Sequence, residues 1–101
     1  MSELTPRTLK LIERIPQPEL RQLLVARLES ECNREALGFT NWTPEQMERV
    51  WFAVLKLIGT KSEKADRVFE LARSDVRDLW VAARFANDID AHNKWWSSRA
   101  T

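Results

Sequence analysis

The chain is poor in the residues from which chemical sites are most often assembled. In 101 residues it has two glycines, one cysteine, one histidine and no tyrosine. Phosphate-cradling loops need clustered glycines that let backbone N–H groups approach the anion, and Gly38 and Gly59 lie far apart. One cysteine and one histidine cannot supply the usual four ligands of structural zinc. Carboxylate-bridged di-iron bundles repeat Glu-x-x-His, whereas the residue three before His92 is Ile89. Cys32 has no second cysteine to pair with, so a reducing cytoplasm is the expected setting. No apolar run reaches the ~20 residues needed to cross a bilayer, and MSELTPRTLK lacks the apolar stretch of a signal peptide. No membrane association is therefore expected.

Charge of one sign is also missing. Sixteen basic residues face fifteen acidic ones. The balance holds locally, with six of each sign in residues 1–38 and eight basic against seven acidic in 61–101. A nucleic-acid partner is not expected from such a distribution. What remains is an ordinary folding composition, 44% hydrophobic and 31% charged, of a length that suits a single domain over residues 1–101. The aromatic balance is unusual: five tryptophans and four phenylalanines.

The stretch TPEQMERVWFAVLKLIG, Thr43 to Gly59, carries the strongest helical pattern. Thr43 suits the N-cap, Pro44 the first helical position, and Gln46 completes a capping box. Gly59 suits the stop. Met47, Val50, Trp51, Val54 and Ile58 recur at helical spacing, and Phe52, Leu55 and Leu57 widen the apolar arc to most of the circumference. A helix apolar nearly all round is buried among others. The reading is an all-α, compact bundle of about five helices around a central apolar helix, residues 44–58. No run alternates as a strand would.

Around it, Thr5-Pro6 starts a first helix that Pro16 and Pro18 end near Ile15. Pro18 opens a second, with Leu20, Leu24, Leu28 and Cys32 on one row and Gly38 as its stop. Phe39 and Trp42 sit in a short linker, where two aromatics either cover the core or bind something. Thr60 and Glu63 read as a capping box for a fourth helix with Ala65, Val68, Phe69 and Ala72 inward. Ser74 reads as a new cap, and Asp75 suits the positive end of the next helix dipole. With neither glycine nor proline beyond it, one long last helix is expected from Asp75 to about Trp96, with room for a kink near Asn87. Its inner stripe runs Ala82, Phe85, Ile89, His92, Trp96.

Enzyme chemistry is hard to assemble from these residues. Asp88 and His92 at i, i+4 are the best polar pair, suited to a general base or weak metal site, but no nucleophile joins them. Glu31 and Glu35 disfavour a thiolate at Cys32, which reads as a small core residue. No catalytic, cofactor or metal site is expected. The function expected is a non-enzymatic protein–protein interaction module, self-associating or of the docking, inhibitor, immunity or adaptor type. Its partner surface is expected on the last helix, where Trp95 joins Asp88, Ala91 and His92 on the polar side; Phe39 and Trp42 are the secondary candidates. A homodimer seam along that helix fits its heptad-like spacing. The alternative is a helix-turn-helix-like DNA-binding regulator built from helices at about 61–73 and 75–86, with Arg73, Arg77 and Arg84 offered outward.

Overall fold

The computed structural model describes residues 4–100, and side chains to residue 99. The first three residues of the MSELTPRTLK segment lie outside that range. Among the described residues seven α-helices succeed one another: α1 Pro6–Glu13, α2 Pro18–Glu31, α3 Arg34–Leu37, α4 Pro44–Ile58, α5 Ala65–Ser74, α6 Val76–Ala83 and α7 Ala91–Ala100. A 3-10 turn, Ser62–Lys64, precedes α5. Among the described residues there is no strand. The radius of gyration, 12.3 Å, matches the ~13 Å of a folded chain of this length.

α4 is the centre, as its pattern requires. Thr43 Oγ1 accepts from the Gln46 N–H at 3.2 Å, and Gln46 Oε1 accepts from the Thr43 N–H at 2.8 Å, so both halves of the capping box form. Gly59 ends the helix at φ 58°, ψ −120°, a region closed to side chains with a Cβ. Met47, Val50, Trp51, Phe52, Ala53, Val54, Leu55 and Ile58 are all buried. α1, α5, α6 and α7 pack around α4, with α6 making the most extensive contact. The single donor of the Trp51 indole is paired: Nε1–H donates to the Cys32 carbonyl at 2.9 Å.

The second helix does not run on to Gly38. It stops at Glu31, and Asn33 caps a separate short helix by accepting from the Ala36 N–H at 2.7 Å. Gly38 closes that short helix in the left-handed conformation, φ 77°. Nor does Thr60 cap the fourth helix: no side chain caps the 3-10 turn or α5. Asp75, not Ser74, caps α6 by accepting from the Arg77 N–H at 2.9 Å, while the Ser74 hydroxyl donates back to the Glu70 carbonyl at 2.8 Å.

The largest departure from expectation lies after Ala83. The single long last helix is two, α6 and α7, separated by residues 84–90. Arg84 takes the left-handed conformation at φ 66°, ψ 34°, and Phe85 N–H closes back on the Trp80 carbonyl at 2.8 Å. This is the helix-ending geometry usually reserved for glycine, and it costs a residue with a Cβ ~1–2 kcal/mol. Two cations of the central helix hold it there. Lys56 Nζ donates to the Ala83 carbonyl at 2.7 Å, and Arg49 Nη2 donates to the Phe85 carbonyl at 2.8 Å. Phe85 is thereby 1% exposed. Asp88 then prepares α7, accepting from the Asp90 N–H at 2.9 Å. The expected inner stripe does not survive: Ile89, on the segment after the break, is 78% exposed, and Ala82, on α6 before it, is exposed while Leu79, Trp80 and Ala83 face inward.

Candidate functional site

The break between α6 and α7 opens a cleft of about 390 Å³ over the first half of α4. Its walls are Trp42, Trp80 and Ile89, with Glu45, Gln46, Arg49, His92 and Asn93 between them. That is the size range of small-ligand and anchor-residue pockets. Each wall has a local reason to be there. Phe39 and Trp42 belong to the linker before α4, a turn held by the Trp42 N–H on the Phe39 carbonyl at 2.9 Å. Arg34 Nη1 fixes the other side of it, donating to the Trp42 carbonyl at 2.9 Å. The two rings stack at 4.1 Å, and Trp42 lies parallel to Trp80 at 6.2 Å, tilted only 4°. The Arg49 guanidinium sits over the Trp80 ring at 4.0 Å. Ile89 rides on the 84–90 segment, at the exposed edge.

Hydrogen bonding among the residues that line this cleft is incomplete. Three buried side-chain atoms of the described residues have no hydrogen-bond partner: Arg49 Nε, Trp80 Nε1 and His92 Nδ1. All three residues line this one cleft. Each such orphan costs about 1–3 kcal/mol against a paired group. Trp80 is 9% exposed and His92 7%. Two of the three atoms are donors only. Burial lowers the pKa of Arg49, with the Asp88 carboxylate opposing. Burial also lowers that of His92; Arg7 and Arg49 add to the fall, whereas Glu48 and Asp90 oppose it. The imidazole is therefore neutral at physiological pH.

A second cleft, of about 460 Å³, shares Glu45, His92 and Asn93 with the first and is lined otherwise by Thr5, Pro6, Arg7 and Glu48. Here the buried charge is fully paired. Glu48, 4% exposed, accepts from the Thr5 hydroxyl at 2.5 Å, from Arg7 Nη2 at 2.8 Å and from Arg7 Nε at 3.3 Å. Arg7 also donates to Asn93 Oδ1 and lies 5.2 Å from the Phe52 centroid and 5.3 Å from that of Trp96. This satisfied network ties α1, α4 and α7 together. The sequence holds a signal for it: Glu48 is an acid on an otherwise buried stretch of helix, and such an acid needs a paired cation.

The residues expected to form a partner surface separate in the structure. Asp88 turns to Lys94, its Oδ2 2.7 Å from Nζ, and this contact lowers the Asp88 pKa and raises that of Lys94. His92 Nδ1 has no partner, Asp88 included, and the ring is buried rather than presented outward. Ala91 is half-buried at the start of α7. Trp95 does not lie on a polar side. It is half-buried against Phe52 at 6.0 Å and Phe85 at 6.1 Å, and Trp96 packs on Phe52 at 6.1 Å. His92, Phe39 and Trp42 are drawn instead to the cleft and its margin. Trp80 and Arg49 escape sequence reasoning, because a helical pattern cannot distinguish a core indole with a partner from one without.

Burial pushes the Cys32 thiol up to about 12, against a weaker pull from Arg27. That is far from the thiolate a reactive cysteine needs. Among the described residues no group of three His, Cys, Asp or Glu side chains is placed to hold a metal ion. No described helix is long and apolar enough to cross a membrane. Of the arginines that a helix-turn-helix would present to DNA, Arg73 pairs with Glu31, and Arg77 Nε lies 3.7 Å from Asp75. α5 and α6 are joined by Asp75 alone. Comparison with protein-family models, with curated proteins and with solved structures gave no match to this chain.

Proposed function

We propose that the protein is a non-enzymatic docking module that holds another protein through the Trp42–Trp80 cleft. The observation that carries this reading is an open cleft walled by Trp42 and Trp80 with Ile89 exposed at its edge, lined by the three described residues that each bury an unpartnered polar atom. A purely structural core pairs such groups, as Trp51 does. Tryptophan and arginine lining a cleft beside an exposed Ile89 are the ingredients of an interface hot spot. Neither Trp95 nor Asp88 is needed for it, so the docking surface moves from the outer face of the last helix to the mouth between α6 and α7.

The test is a photo-cross-linking amino acid at position 89, with position 23 as the control, because Leu23 is also exposed but lies on α2. In the source cell, position 89 should yield one discrete adduct that disappears in a Trp80→Phe, Arg49→Gln background. An adduct with the mass of two chains would make the partner a second copy. Equal labelling from positions 23 and 89, or an adduct indifferent to Trp80 and Arg49, would contradict the reading. The DNA-binding alternative would be supported by association with nonspecific duplex that falls steeply as salt rises.

A further inference from the structure

A separate, smaller cavity of about 170 Å³ lies at the C-terminal end of α4, away from the Trp42–Trp80 cleft. Leu11, Ile15, Leu55 and Trp95 give it apolar walls. Three cations from three parts of the chain also line it: Arg14 just past α1, Lys56 in α4 and Arg99 in α7. No acidic residue lines it. Arg84 adds a fourth charge nearby. Burial lowers the Lys56 pKa, and Arg84 and Arg99, both positive, lower it further. No carboxylate of the described residues pairs with any of the four. Arg14, Arg84 and Arg99 are exposed and Lys56 is half-buried, so a ligand can reach them from water. Cations at helix C-termini have a structural use, and α1, α4, α6 and α7 all end here. Arg14 Nη1 donates to the Arg99 carbonyl, and Lys56 Nζ to the Ala83 carbonyl at 2.7 Å. Each helix end carries about −0.5 of a charge, so four ends offset roughly half of four cations. A surplus of about +2 remains, which is the charge a phosphate monoester neutralises at pH 7. Guanidinium forks match phosphate oxygens in geometry as well as charge. We propose that this cavity binds a small phosphate monoester, with its dianionic head among Arg14, Lys56 and Arg99 and its organic group on the apolar walls. A nucleic-acid backbone fits less well, because each of its phosphates carries a single charge and the cations here gather at one cavity rather than along a stripe.

The test is calorimetric titration of the whole chain with phenyl phosphate, its monoanionic diester methyl phenyl phosphate, inorganic phosphate and a short DNA duplex. Phenyl phosphate should bind about tenfold or more tightly than the diester, because only the monoester carries the second charge. The double variant Arg14→Gln, Arg99→Gln should bring it down to the level of the diester with unchanged helical circular dichroism. Both side chains are exposed, so the fold does not depend on burying them. Arg77→Gln, an exposed arginine beside Asp75 on α6, should leave binding unchanged. In a parallel nitrogen–proton NMR titration, phenyl phosphate should move the indole resonance of Trp95 and not that of Trp80. Equal binding of monoester and diester would overturn the dianion. Inorganic phosphate binding as tightly as phenyl phosphate would overturn the organic ester. Duplex binding more tightly than phenyl phosphate, and lost in the same double variant, would make the cluster a polyanion surface and overturn the small-ligand site. Movement of Trp80 in place of Trp95, or no binding of phenyl phosphate at millimolar concentration, would overturn the assignment to this cavity.

Discussion

Two tryptophans of this protein should respond differently to the same substitution. Trp51 and Trp80 are both buried, at 1% and 9% exposure, but only Trp51 has a partner for its indole N–H. Replacing either by phenylalanine removes part of a ring from a packed site, at about 1–2 kcal/mol by area and cavity terms. For Trp51→Phe the Cys32 carbonyl also loses its donor, adding ~1–3 kcal/mol, for a total loss of roughly 2–5 kcal/mol. For Trp80→Phe the sign of the second term reverses. An unpartnered donor is removed, which recovers ~1–3 kcal/mol, against a fraction of the ~0.5–1 kcal/mol in the Arg49 contact. The net change should lie within about 2 kcal/mol of zero. Urea denaturation with a shared slope would resolve the pair, as would melting, where ~1 kcal/mol moves the midpoint by about 4–8 °C at this size. If Trp80→Phe destabilises as much as Trp51→Phe, then Trp80 has a structural partner, and the cleft is ordinary core.

The packing sets three further outcomes. Trp95→Ala should lower stability by about 2–3 kcal/mol, below the full ~3–5 because the ring is half-buried; an unchanged melting temperature would put Trp95 off Phe52 and Phe85. Stability should fall as pH drops below about 6.5. The unfolded His92 takes up a proton there, which the buried imidazole of the folded state resists, and His92→Phe should flatten that slope in urea titrations between roughly pH 8 and 5.5. Arg84→Gly should stabilise by up to ~1 kcal/mol in the same assay, since glycine occupies the φ 66° conformation without strain; a loss would mean that the arginine side chain contributes more than its backbone costs.

The central helix is legible in the sequence because every local signal agrees there: cap, proline, capping box, apolar arc and terminal glycine all point to the same fifteen residues. The division of the last helix is not. Nothing in RFANDID breaks a helix locally, and the left-handed Arg84 is held by Lys56 and Arg49, both distant in sequence. Given the break, His92, Trp95, Trp96 and Arg99 form an i, i+3, i+4, i+7 set of their own, and the inward turn of both tryptophans needs no further cause. Asn33 is a readable cap masked by Gly38, which already supplies a stop. The cleft is half legible: Phe39, Trp42 and His92 stand out as binding candidates, but on different surfaces. Trp80 and Arg49 gain their meaning only from what they fail to bond, which no single-residue pattern encodes.

The most direct test of the cleft uses the five tryptophans as placed reporters. Trp51 sits in the core, Trp42 and Trp80 at the cleft, and Trp95 and Trp96 on α7. Their indole N–H resonances, tracked by nitrogen–proton correlation NMR during addition of the partner captured from position 89, separate the three regions in one titration. The Trp80 resonance should move most, with Trp42 next and Trp51, Trp95 and Trp96 nearly still. Movement of Trp95 or Trp96 with Trp80 unmoved would return the binding surface to the last helix and contradict the account.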